Sequence, residues 1–543
     1  MVRQSRRRHR PLALAICACF GISTAAREAI ADIKFVTNCN DSGTGSLRAV
    51  IAAAADGDTI DMFTMLQCSR ITLGNSIVTD RKNLSLLGPG VSKLTVTGGT
   101  SFGVLAADNS TTDTFYLGYF TVANGNGVGP GCVYAKGNLS LRGMVVSGCT
   151  SRGNVGGGVR TRANLTLVNS VIENNLVTNG NVGGGGGAWV DGDATISGST
   201  IAGNAVTLSS NYTASLKGGG IYVGGNLTMS DTTVTGNSVS ATTNPIAVLG
   251  GGIFVEGDAS IMHSVVSENS LSAVGIVANG GGVYVGSKAG PTDYAYFQYS
   301  SISGNSVASS STAFDVMADG GGIYVVKPAG VRYTTIDSNR ARNGAGVFAT
   351  QHLNIFQSTL TANRANYNGG AIYSTYSANT EFLNSTIAQN FSNAIGNCGG
   401  VFFGNGGTLT TVSNIIAKNS KYNSTSSPCD IGVGTNKTLT IGAASSNNLI
   451  QSAPSVALPA DTLTGDPQFF VLANNGGPTK TLGIKTTSPA HQAGLNLFSW
   501  QWDQRGGGFP RVIFNKTDIG AFESEGSGDG DTIFRNGFDP LIE

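Results

Sequence analysis

The chain has 543 residues, 78 of them glycine, with only 12% charged and a net charge of +1. Arg3, Arg6, Arg7, Arg8 and Arg10 lie ahead of the apolar run 11–22, and Ala29-Ile30-Ala31 closes the segment, so residues 1–31 read as a secretory signal peptide. Without them 27 basic and 31 acidic residues remain, a net charge of −4, which excludes a nucleic-acid groove; run 11–22 is also too short for an ordinary membrane span. The expected mature chain is an exported, Gly/Ser/Thr/Asn-rich protein with no transmembrane segment.

Six cysteines follow the signal: Cys39, Cys68, Cys132, Cys149, Cys398 and Cys429. An even count in an oxidising compartment favours disulfides, and no C-x-x-C pair is present for zinc. The cysteines fall into three local pairs, although the sequence leaves other connectivities open. Ser46 to Ala55 reads as a short helix, with Ser46 as N-cap and Gly57 as stop, covering the N-terminal end of the fold. Covering it matters, because an open solenoid end is an exposed sheet edge.

From residue 129 a twenty-residue phrase recurs. One copy is GGGIYVGGNLTMSDTTVTGN, residues 218–237; others begin near 156, 185, 250, 280, 320, 344, 369 and 398. Numbering each copy 1–20, positions 4/6 and 10/12 are apolar with period two, and position 17 is Ile, Val or Leu from the 156 copy onward. Glycine and Asx residues punctuate between these runs. Period two is a strand period, so each copy encodes three short strands, near 4–6, 10–13 and 15–18. Such a unit buries its core only by stacking on the next. The predicted fold is therefore an all-β parallel β-helix with an N-terminal helical cap. Ten coils at a strand spacing of about 4.8 Å give a rod on the order of 50 Å.

Position 20 is Asn in nine successive copies, Asn175 through Asn419, which predicts a left-handed corner and an amide ladder. Position 15, Ser170 through Ser385, predicts a second polar ladder. The segments between copies vary in length and read as loops emerging at one corner, where solenoids often bind partners.

Two stretches resemble known families. Gly-Ser-Leu-Arg-Ala-Val-Ile (45–51) resembles the CSLREA motif of bacterial β-helix proteins. Asp466-Pro467, Asn474–Thr479, Ser488-Pro489-Ala490, Ala493-Gly494, Asp503–Gly506, Pro510-Arg511 and Asp518–Glu523 follow in order the blocks of the choice-of-anchor Q domain. His491-Gln492 stands where that pattern has Ile-Asp. Gly369-Gly370-Ala371-Ile372 is distantly similar to the repeats of polymorphic outer membrane proteins, but no series of barrel strands follows residue 420. The resemblance implies an exported protein with a right-handed parallel β-helix, secreted or held at the outer surface of a Gram-negative bacterium. The expected division is 1–31 signal, 32–128 cap and first coils, 129–419 repeated coils, 420–523 the Q-like region, and 524–543 a linker with the tail Asp531–Asp539.

Catalysis has thin support. Trp189-Val190-Asp191 resembles part of a pectate lyase block, but Gly192 follows where that block has His, and no R-x-P-x-x-R is present. The repeat alone accounts for the match. Asp191, Asp193 and Asp258, with Glu256 beside them, form the densest acidic spot. Its plain reading is turn chemistry; weak Ca²⁺ binding and paired-acid hydrolysis are the alternatives. His263 and His352 lack acid partners in their columns. Position 5 remains: Trp189, Tyr222, Phe254, Tyr284, Tyr324, Phe348 and Tyr373 make an outward column, which either binds sugar rings or is buried under the corner loops. The leading reading is a monomeric adhesin or carbohydrate-binding protein without catalysis or cofactor. A polysaccharide lyase or glycoside hydrolase working along the rod is the alternative.

Overall fold

A computed structural model describes residues 31–64, 68–153, 155–178, 183–208, 215–242, 246–274, 277–290, 292–309, 317–393, 398–421 and 427–524. Signal residues 1–30 and the tail 525–543 lie outside them. The described chain is a parallel β-solenoid. In the coil of residues 218–237 the strands are Ile221–Val223, Leu227–Ser230 and Thr233–Thr235. Their counterparts stack into a first sheet of 13 strands, a second of 15 and a third of 14, parallel throughout. The register is one coil per repeat: Ile221 pairs with Ile253, Leu227 with Ala259 and Val234 with Val266. Ile221, Val223, Met229 and Val234 are fully buried, as the alternation requires. The leading glycines let coils approach: a Cβ on Gly219 would lie 2.2 Å from the carbonyl oxygen of Gly251 in the next coil.

The variable segments are more ordered than their reading as loops. In the longer segments a strand leaves the Asn corner and another returns to the next glycines, as in Ser238–Ala241 and Ala247–Leu249. Outgoing and returning strands stack separately into a fourth sheet of 16 strands. Where the segment shrinks to Arg340–Asn343, one strand pairs with members of both stacks. Val206, Leu216, Val239, Val248, Leu271 and Ala278 fill a second apolar core between them. The cause is a period-two pattern, Val206/Leu208, Val239/Ala241 and Leu271/Ala273, diluted by Ser and Thr on the partly exposed face.

The Asn column is an unbroken buried ladder. From Asn175 to Asn390 each Nδ2 donates to the Oδ1 of the next Asn at 2.9–3.0 Å, and each backbone N–H donates to the same oxygen. Asn419 continues it to Asp430 Oδ1 at 2.8 Å. Burial pushes the Asp430 carboxyl up to about 7, against the pull of its N–H donors. The left-handed residue is not the Asn but the one before it: Asn174, Gly203, Gly236, Glu268 and Gly304 have φ of 54–65°. That turn aims the following amide along the rod axis. In the Ser/Thr column the hydroxyl accepts from the backbone N–H of the preceding coil and donates to the carbonyl two residues back, as at Thr232.

The helix α1 (Leu47–Ala52) starts at Ser46, whose hydroxyl accepts from Ala49 N–H, and ends three residues earlier than its sequence pattern. Leu47 and Ile51 enter the main core, and Arg48 donates to the carbonyls of Asn75 and Ser76. The disulfides join Cys39–Cys68, Cys132–Cys149 and Cys398–Cys429. Regular coiling continues past residue 420, with Ile431–Val433, Leu439–Ile441 and Leu449–Ile450 adding to the three sheets.

Residues 466–524 then fold back over the third sheet. Thr335, Thr359 and Thr386 donate to Lys480 O, donate to Gln504 Oε1 and accept from Ala521 N–H, respectively. These threonines are buried, whereas Thr200 and Thr233 on the same face remain partly exposed. The motif blocks meet inside this lobe. Arg505 pairs with Asp503 at 2.8 Å and lies 4.1 Å from the ring centroids of Phe509 and Phe522, and Arg511 is fully buried. Burial raises the Glu523 carboxyl to about 8, against the pull of Arg511.

Candidate functional site

The position-5 residues form one column on the first sheet. Ring centroids lie 3.7 Å apart for Trp189–Tyr222, then 5.4, 5.0, 5.2, 4.8, 5.0 and 5.7 Å through Phe254, Tyr284, Tyr324, Phe348 and Tyr373 to Phe402. All these pairs are stacked. In-register parallel strands place identical positions about 4.8 Å apart, close to the stacking separation of rings. The rings therefore face one another along the rod rather than solvent. Trp189, Phe254 and Phe348 are only 9%, 2% and 6% exposed, whereas Tyr222, Tyr284, Tyr324 and Tyr373 are half-buried.

The returning fourth-sheet strands flank this column. Lys217 places its Nζ 4.7 Å from the Phe254 centroid and pairs with Glu256 at 2.8 Å. The Tyr222 hydroxyl donates to Glu256 at 3.4 Å. Burial, then the charges of Glu256 and Asp191, push the Tyr222 phenol well above its usual range. Burial likewise raises Tyr284, Tyr324 and Tyr373. All four remain protonated donors at neutral pH. The column thus offers ring edges and hydroxyls, rimmed by Arg160, Asp191, Lys217 and Glu256.

The acidic residues are engaged in structure. Asp191 accepts from Trp189 Nε1 at 2.5 Å and lies 4.0 Å from Arg160. Asp193 belongs to a third ladder, Asn138–Asn164–Asp193–Asn226–Asp258, in which each side-chain oxygen accepts the backbone N–H one coil on. Asp258 Oδ1 takes the buried Lys327 ammonium at 2.8 Å, and its Oδ2 accepts from Thr292 and Asp293 N–H. Burial raises this carboxyl, but Lys327 and Thr292 outweigh that and hold it below the usual range. Among the described residues no group of three His, Cys, Asp or Glu side chains is placed to hold a metal ion.

Lys327→Met removes the cation paired with the buried Asp258 carboxylate. It is expected to destabilise the protein by about 3 kcal/mol, the lower end for a broken buried pair. Chemical denaturation of the variant beside Lys327→Arg measures it; equal stability of Lys327→Met and wild type would contradict the clamp.

Among the described residues the histidines form no serine–histidine–acid relay. His263 stacks on Tyr299 at 5.0 Å, and His352 Nδ1 lies 2.5 Å from Asn379 O. The sequence did not reveal His491 as a partner of Asp518 at 3.0 Å and Ser524 at 2.8 Å. Both contacts are to Nδ1, and Ser524 also donates to Asp518 directly. A relay needs serine and acid on opposite ring nitrogens, so this cluster closes the lobe instead.

Among the described residues no helix is long and apolar enough to cross a membrane. No family model matches the chain, so the motif blocks around 45–51 and 466–523 remain a resemblance, and no curated protein matches it. Among solved structures a pectate lyase, Pel9A, aligns over 91% of this chain and 96% of its own length, at 12% identity and a TM-score of 0.29.

Proposed function

We propose that the protein is an exported, non-catalytic adhesion or carbohydrate-binding solenoid that holds a polysaccharide along the edge of the position-5 column. The observation behind this reading is the unbroken run of stacked rings in which Tyr222, Tyr284, Tyr324 and Tyr373 stay partly exposed. A polymer of sugars is itself a repeating row of hydroxyls, and a coil repeat along one axis offers it successive equivalent contacts. Three disulfides fit an extracellular setting. The acids that hydrolysis or elimination would need are held by ladders, Trp189 and Lys327, which favours binding over chemistry.

The combined variant Tyr222→Phe, Tyr284→Phe, Tyr324→Phe, Tyr373→Phe keeps the stack and removes the hydroxyls. Its retention in affinity electrophoresis through polysaccharide gels is expected to fall at least about tenfold, a loss of ~1.4 kcal/mol. Unchanged retention, with an unchanged circular dichroism spectrum, would rule the column out as the contact surface.

A further inference from the structure

We infer a second saccharide site, for a neutral hydroxyl-rich oligosaccharide, where the folded-back lobe meets the outward face of the second sheet. It rests on the glycan-binding reading but uses none of the column residues. Three separate parts of the chain converge there. The first is the 292–296 segment, held by Asp258 through the backbone N–H groups of Thr292, Asp293 and Tyr294. It presents Tyr294 and Tyr296, whose ring centroids are 4.5 Å apart. The second is the sheet, where Tyr296, Gly330, Asn354 and Glu381 follow one another coil by coil, with Arg332 and Phe356 in the adjoining column. The third is the lobe, whose Trp500 packs 5.9 Å from Phe356 and 5.6 Å from Phe498.

These contacts join into one surface. Asn354 Nδ2 donates to the Tyr294 hydroxyl at 3.3 Å, and a Cβ on Gly330 would lie 3.2 Å from that hydroxyl. Glycine at 330 therefore leaves room for Tyr294 over the sheet. The Arg332 guanidinium sits 5.0 Å over the Phe356 ring and forms no ion pair among the described residues. Tyr296 is 39% and Phe498 57% exposed, so large aromatic surface is open at both ends. Beside Trp500 a hollow of about 340 Å³ is lined by Asn496, Ser499, Gln501, Pro510 and Val512.

The polar inventory selects the ligand. Asn354 Oδ1 is buried and has no hydrogen-bond partner among the described residues, which leaves it an acceptor for an O–H or N–H donor. Glu381 beside it is another acceptor, Arg332 is a donor, and the hollow adds only uncharged amides and a hydroxyl. Acceptors and donors interspersed among aromatic rings suit the hydroxyls and apolar faces of a neutral sugar. A polyanion would gain Arg332 but meet Glu381 and an acceptor it cannot satisfy.

The test uses the full chain and calorimetric titration with hexasaccharides of glucose, mannose, galactose and galacturonate. At least one neutral hexasaccharide is expected to bind, with Tyr296→Ala and Phe498→Ala each weakening it at least about tenfold. Both side chains are exposed, so both variants should retain the wild-type melting temperature. The fourfold Tyr→Phe variant of the column should leave this binding unchanged, which separates the two sites. Binding of galacturonate alone, binding indifferent to Tyr296→Ala and Phe498→Ala, or no binding of any neutral hexasaccharide would overturn the proposal.

Discussion

Ile253→Asp is expected to abolish the folded state, with the variant recovered as protease-sensitive or insoluble chain. Ile253 is fully buried on the first sheet and pairs with Ile221 below and Val283 above. The substitution removes roughly 1.5–3 kcal/mol of apolar burial. It also places a carboxylate in the apolar core, where no cation lies among the described residues of the cluster; an unpaired buried charge costs several kcal/mol more, even if it protonates. Because every coil rests on its neighbours, the loss is not confined to one repeat. Limited proteolysis beside Thr228→Asp, an exposed second-sheet position in the preceding coil, checks it. Equal resistance of the two variants would contradict the inward orientation of position 4.

Asn237→Leu is expected to be the next most damaging. Asn237 Oδ1 accepts from both the backbone N–H and Nδ2 of Asn204, while its own Nδ2 donates to Ile201 O and Asn269 Oδ1. Leucine orphans two donors and takes a donor from Ile201 O in a fully buried corner, while Asn269 Oδ1 keeps the backbone N–H of residue 237. At about 1–3 kcal/mol for each group left short, the expected loss is at least about 3 kcal/mol. Urea unfolding followed by tryptophan fluorescence would report it. A loss under about 1 kcal/mol would mean that the ladder is incidental to stability.

Much of this was legible because a solenoid writes its structure once per coil. The apolar columns at positions 4, 6, 10, 12 and 17 fixed strands, register and core together, and the Asn run announced the ladder. What stayed hidden depends on information outside a single copy. Ser-Val-Ser-Ala (238–241) looks like a polar loop until its neighbours Ala-Val-Thr-Leu (205–208) and Ser-Leu-Ser-Ala (270–273) are stacked on it. The ring column was visible, but the direction of its faces follows from coil spacing. Asp258 and Lys327 are 69 residues apart, and nothing local to either names the other. The second saccharide surface lies in an atypical coil and a non-repeating lobe, where periodicity is silent. Its only sequence trace is the density of aromatic residues around Tyr294–Tyr299 and Phe498–Trp502.

The central claim is binding without chemistry. The most direct measurement incubates the full chain with uronate-rich and neutral polysaccharides, following retention on the polymer together with unsaturated products and new reducing ends. The account predicts retention with neither product. Release of either product, abolished by Asp193→Ala, would contradict it and move the acidic residues from scaffold to catalyst.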